Sequence, residues 1–176
     1  GATAKNLNVN NGGSTAGYIN AKDVTVDGCT VVGGNGFRYC YTTGTVTFMN
    51  STITGSTYGI HFDGSAGGEI VIDNCVITGW TSFAQTITKV TMKDTSFEKG
   101  NYNYVRFYQK EVVIEKCTFN EKMAIDIAVS GNTTTINTCT FTNGNIEDLF
   151  NGSDIVNSTI IVDGITLKRE ASIGKT

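Results

Sequence analysis

The chain has 176 residues, a formal net charge of −3 and a sequence pI near 5.1, with 16% charged and 39% apolar residues. That length suits one domain with its own core; the sparse, mixed charge excludes an acidic disordered chain and a Lys/Arg-rich nucleic-acid binder, and no apolar run approaches the roughly 18–20 residues of a membrane span. Proline is absent, against 21 Gly, 27 Thr and 17 Asn, a composition of strand formers and turn formers.

Read in chain order, one phrase recurs: apolar-x-apolar-x-(Asn/Gly/Asp)-(Cys/Ser/Thr)-x-apolar. It opens at residues 2–9 and returns at 24–31, 46–53, 70–77, 90–97, 112–119 and 134–141, with a weaker copy over 153–160. The small residue anchors each copy: Leu7, Cys29, Ser51, Cys75, Thr95, Cys117, Cys139 and Ser158, spaced 22, 22, 24, 20, 22, 22 and 19 residues apart. Such a period marks a repeat architecture. Within each copy, apolar residues alternate before and after the anchor, which predicts two short strands with one face buried. The residue before the anchor is Asn6, Gly28, Asn50, Asn74, Asp94, Lys116, Thr138 or Asn157. Most of these tolerate a left-handed backbone, which would bend the chain between the two strands. Third strands are predicted over 37–41, 60–62, 82–87, 104–108, 124–128 and 145–149, flanked by loops such as Gly33-Gly34-Asn35-Gly36. Three strands per coil with stacked equivalents predict a parallel β-helix of about eight coils, an all-β solenoid forming a single domain over 1–176.

Several chemical-looking residues have structural explanations. Cys29, Cys75, Cys117 and Cys139 share the anchor position with Ser and Thr, so a ladder of buried free thiols is expected. Cys40 lies outside it and is expected to be the exposed one. Glu69, Lys89 and Glu111 form one predicted charge ladder, and Asp73, Lys93 and Glu115 another. Thr52-Ile53-Thr54 and Thr140-Phe141-Thr142 put Thr pairs on one outward face, a pattern similar to ice-binding solenoids but interrupted by Glu98. There is no Walker loop, Gly-x-Ser-x-Gly or His-Glu-x-x-His, no Cys-x-x-Cys zinc pattern, and one His.

The coil length, the Asn-rich bend and the inward ladders resemble the right-handed parallel β-helix (pectin lyase-like) family typified by pectate lyases and polygalacturonases, over roughly residues 1–165. That resemblance implies a polysaccharide-binding groove on the outward face of the third strand. Here the face would carry Arg38, His61, Ala84, Arg106, Asp126 and Glu147 on successive coils, with Asp63 beside His61 and Tyr104 and Tyr108 beside Arg106. Flat rings suit the apolar face of a pyranose, and Arg and carboxylates suit its polar groups. Asp126 and Glu147, expected on adjacent coils, could approach the separation of a glycosidase pair, about 5–9.5 Å. The family's catalytic motifs do not map onto this chain. The expectation is a secreted or cell-surface, extracellular module, part of a longer bacterial or phage protein, that binds a polysaccharide or glycan or serves as an adhesin. No metal and no cofactor are expected. The alternatives are a polysaccharide lyase or glycoside hydrolase acting on an acidic polysaccharide, with calcium only in the lyase case, and a purely structural spacer.

Overall fold

The computed structural model describes residues 1–64, 67–120, 123–142, 150–151 and 157–167. It is a single parallel β-solenoid of about seven turns. Each turn begins with a strand of sheet A: β1 (Ala2–Lys5), β4 (Val24–Asp27), β6 (Thr45–Met49), β8 (Glu69–Asp73), β10 (Lys89–Lys93), β13 (Glu111–Glu115), β16 (Thr133–Asn137) and β19 (Thr159–Val162), neighbours in that order and all parallel. The rest of each turn lies in sheet B. In the first turn this is β2 (Asn8–Asn10) and β3 (Thr15–Gly17). In the next two it is one long strand, β5 (Thr30–Cys40) and β7 (Thr52–Phe62). Then come β9 (Val76–Ser82), the pair β11 (Ser96–Glu98) and β12 (Tyr104–Phe107), the pair β14 (Thr118–Phe119) and β15 (Ala124–Ile127), and β17 (Thr140–Phe141) with β18 (Phe150–Asn151).

The bend after sheet A works as the residue types demand. Asn6, Gly28, Asn50, Asn74, Asp94, Lys116 and Thr138 all have φ between +47° and +64°. The anchor side chain then donates a hydrogen bond to the carbonyl two residues back. Cys75 Sγ reaches Asp73 O at 3.3 Å, Cys117 Sγ reaches Glu115 O at 3.4 Å, and the Ser51 and Thr95 hydroxyls do the same at 2.7 and 2.8 Å. The two hydroxyl anchors also accept the Cys29 and Cys75 backbone N–H groups from the preceding turn. Outside the bend, Asn74 donates to Asn50 and Asn50 to Asp27.

Inside, stacked ladders fill the core. Val26, Phe48, Ile72, Met92, Ile114 and Ile136 are in register and buried. The Phe97, Phe119 and Phe141 rings stack at 5.2 and 5.8 Å, and Phe83 on Phe107 at 6.2 Å. A second close approach runs through glycine. Gly79 has φ +105°, and a Cβ there would stand 2.3 Å from the Gly55 carbonyl oxygen.

Some expectations are corrected. The Gly33–Gly36 segment is strand, not loop, because its glycines let neighbouring backbones close in without a Cβ between them. The strand predicted over 82–87 ends at Ser82. The strand predicted over 145–149 lies outside the described residues, and the chain joins sheet B at β18. The weak eighth repeat is not a full turn. Thr159 pairs with Thr133 and Ile160 with Thr134, so this strand precedes a bend instead of following one. The bend is Asp163-Gly164, both at positive φ (47° and 80°), and it reverses the chain into β20 (Ile165–Leu167), antiparallel to β19. Asp-Gly is a strong signal for a two-residue hairpin, so among the described residues a hairpin follows β19 where the repeat frame predicts an eighth coil. Cys40 is also the reverse of its expectation: it is 1% exposed. A register shift between Phe37 and Cys40, with Tyr39 at φ +58°, turns the thiol inward opposite Phe62. Leu7, in the anchor place of the turn that holds β1, is 50% exposed.

Candidate functional site

Sheet B's outward face is where the third strands bring chemistry together. Register places His61 beside Ser82, Ser82 beside Arg106, and Arg106 beside Asp126. Ser82, not Ala84, therefore holds the fourth turn's place in the row. Beyond Asp126 the paired residue is Asn151; Glu147 lies outside the described residues. The adjacent row is aromatic. Tyr58 pairs with Trp80, and their rings stack at 5.1 Å and 28°. Trp80 in turn meets Tyr104 at 6.0 Å and Tyr102 at 5.5 Å.

Arg38 and Arg106 lie over this aromatic row. The Arg38 guanidinium sits 4.5 Å from the Tyr58 ring centre and 4.7 Å from that of Tyr39, and Arg106 lies 5.1 Å from Trp80, distances of cation–π contacts. Arg106 Nε also donates to Asp126 Oδ2 at 2.5 Å. Asp63 Oδ2 accepts the Tyr39 backbone N–H at 2.7 Å, and its Oδ1 stands 3.2 Å from His61 Nδ1, close but off hydrogen-bond alignment. Burial pushes the His61 pKa below its ordinary value, Asp63 opposes this, and Arg38 and Arg106 add to the lowering. The imidazole is thus neutral at neutral pH.

Sheltered side-chain nitrogens without a hydrogen-bond partner are, among the described residues, Arg38 Nε, His61 Nδ1 and Trp80 Nε1. All three belong to this face. Buried polar groups are nearly always satisfied, so three such nitrogens on one face set it apart from the rest of the described surface. His61, Asp63, Trp80, Ser82, Arg106 and Tyr108 line a cleft of about 400 Å³. Tyr108 also lines an adjoining cleft of about 560 Å³ with Lys110 and Val129.

The structure brings together Arg38, His61, Asp63, Tyr104, Arg106, Tyr108 and Asp126. Asp126 is not a solvated carboxylate: it is 5% exposed and tied to Arg106. Trp80 and Tyr58 escape the sequence reading. Tyr58 lies three residues before His61, which strict alternation puts on the opposite face. The register shift between Tyr58 and His61 in β7 returns both to one face, with ring centres 4.5 Å apart. Trp80 is in phase with Ser82 and is the chain's one Trp, a legible signal. No described group of three or more His, Cys, Asp and Glu side chains could hold a metal ion, and no described helix is long and apolar enough to cross a membrane. Compared with protein-family models, curated proteins and solved structures, the chain matches none.

Proposed function

We propose that this chain is a carbohydrate-binding β-solenoid module of the pectin lyase-like type, working outside the cell or on its surface as an adhesin or glycan-anchoring domain. The observation that carries this reading is the aromatic row Tyr58–Trp80–Tyr104, flanked by Arg38, Arg106 and Asp63 on one face. Rings supply apolar area for sugar faces, and the charged groups supply hydrogen bonds to hydroxyls. Free thiols fit an oxidising setting here because most are inaccessible: burial raises the Cys40 thiol pKa to about 12 and that of Cys75 to about 11. A glycosidase pair of Asp126 and Glu147 is not favoured, since Asp126 is committed to Arg106 and its neighbour in register is Asn151.

A glycan array on the intact protein tests the reading. Trp80→Ala is expected to weaken the best ligand about ten- to hundredfold, or about 1.4–2.8 kcal/mol. Thr52→Ala and Thr140→Ala, at the first residues of β7 and β17 and outside the aromatic row, are expected to leave affinity unchanged. Loss in the Thr variants with retention in Trp80→Ala would move the site to the Thr-rich face. No binding across neutral, acidic and amino sugars would favour the structural-spacer alternative.

A further inference from the structure

We propose that Asp63, His61 and Ser82 form a catalytic row that hydrolyses carboxylic esters. Ser82 is the nucleophile, His61 the base, and Asp63 the positioning residue. Nucleophilic serine chemistry needs a base beside the hydroxyl and a third group that orients the base. The cleft holds these groups in order. Asp63 is held from behind by the Tyr39 N–H at 2.7 Å, and its other oxygen faces His61 Nδ1 at 3.2 Å, a loose contact of the kind that tightens when substrate binds. That leaves Nε2 as the ring nitrogen available to a neighbour. The residue beside His61 in register is Ser82, which lines the same cleft. On the other side of Ser82 stands Arg106, hydrogen-bonded through Nε to Asp126 and also to Tyr108, so that a fixed guanidinium charge stands beside a developing oxyanion.

The held conformation of Tyr39, a non-glycine residue at φ +58°, is the kind of local strain that clusters at functional sites. Here it aims an amide at Asp63. The charged groups facing His61 are Asp63, Arg38 and Arg106, with Asp126 on the far side of Arg106. Their balance together with burial keeps the imidazole unprotonated at neutral pH, ready to accept a proton.

The reaction balances without a cofactor. Ser82 Oγ bonds to the ester carbonyl carbon as its proton passes to His61 Nε2, and the carbonyl oxygen takes the negative charge beside Arg106. Collapse breaks the bond to the alcohol oxygen, which leaves with the His61 proton. Water then attacks the acyl-serine, gives a proton to His61, and releases the carboxylic acid as Ser82 regains its hydrogen. A cleft of about 400 Å³ suits a short acyl group. That the alcohol is a sugar hydroxyl rests on the carbohydrate reading above; the acylation of Ser82 does not.

The test uses the intact protein with a fluorophosphonate probe and with p-nitrophenyl acetate. The expected result is a probe adduct mapped to Ser82 by peptide mass spectrometry. Ester turnover should fall at least about a hundredfold in Ser82→Ala and in His61→Gln. Asp63→Asn should lower the rate and move the acid limb of the pH–rate profile to lower pH, because Asp63 favours the protonated imidazole; a merely structural role would leave the limb in place. Wild-type protein with no adduct at Ser82, or Ser82→Ala with undiminished turnover, would overturn the proposal. Adduct mapping needs no variant, so a folding defect in His61→Gln does not blunt it. A Ser82 adduct with a blank glycan array would sink the carbohydrate reading and keep the esterase. Glycan binding without an adduct would do the reverse.

Discussion

At the scale of single residues, the anchor sites show how little freedom a stacked bend allows. Cys117 is 1% exposed, with its thiol on the Glu115 carbonyl and the Cys139 thiol beside it. Cys117→Arg is expected to cost more than about 4 kcal/mol, since the site has neither room nor a partner for a charge. Cys117→Ser should cost about 1 kcal/mol or less, because Ser51 and Thr95 already make the same contact; urea denaturation measures both. Cys40 contributes a pH dependence. Its folded thiol pKa is raised, from 9.0 to about 12, so its stabilising contribution is full below pH 9 and is lost as pH rises towards 12. Cys40→Ala should flatten the fall in stability over that window relative to the unaltered protein. Arg106, by alternation alone, is an outward residue of no consequence for stability. Its ion pair with buried Asp126 changes that: Arg106→Ala leaves a carboxylate uncompensated and should cost about 2–3 kcal/mol, read from the denaturation midpoint.

At the scale of elements, the bends carry the strain. Thr138 occupies the left-handed region at φ +54°, where a residue with a Cβ costs roughly 1–2 kcal/mol. Thr138→Gly is therefore expected to raise stability by about 0.5–1 kcal/mol, a gain reduced by the extra chain entropy of Gly, and calorimetry would show a higher Tm. The hydrogen bond that the Thr138 backbone N–H donates to Asp163 Oδ1 at 2.7 Å survives the change. The bend residues are readable because Asn, Gly and Asp recur at one position, and Lys116 and Thr138 follow the column against their own preferences. The charge ladders follow the register too, Lys89 pairing with Glu69 and Glu111 and bonding Glu111 at 2.8 Å. Lys93, in register with Asp73 and Glu115, makes its ion pair with its neighbour Asp94 at 3.7 Å. Such exposed pairs contribute little to stability, because solvent screens them.

At the scale of the whole molecule, one face of sheet B gathers groups that are far apart in sequence but one turn apart in space. Arg38, His61, Trp80 and Arg106 fall into a single surface because each turn returns the chain to the same place. The Trp80→Ala binding experiment probes this scale directly. If the proposed platform spans several turns, removing its central ring is expected to lower affinity, and changes in the Thr columns are expected to leave it unchanged.

The sequence by itself determined the coil, its period, the position of the bend and the identity of the buried ladders. Those features arise from local alternation and from a left-handed residue repeated about every 22 positions, and every turn reports them again. Tertiary structure decided the rest. The turn of Cys40 inward, the union of Tyr58 with His61 and the placing of Ser82 in the row all depend on register shifts within β5 and β7. A bulge inserts a residue in one strand and reverses the side on which all later side chains point. No periodicity announces it; it is set by how neighbouring turns fit, through glycines such as Gly55 and Gly79 that let the backbones meet. The hairpin at Asp163-Gly164 stands between these cases. Its dipeptide is a legible turn signal, but the repeat frame masks it, and only pairing with β16 shows the last strand opening a turn that β20 then reverses.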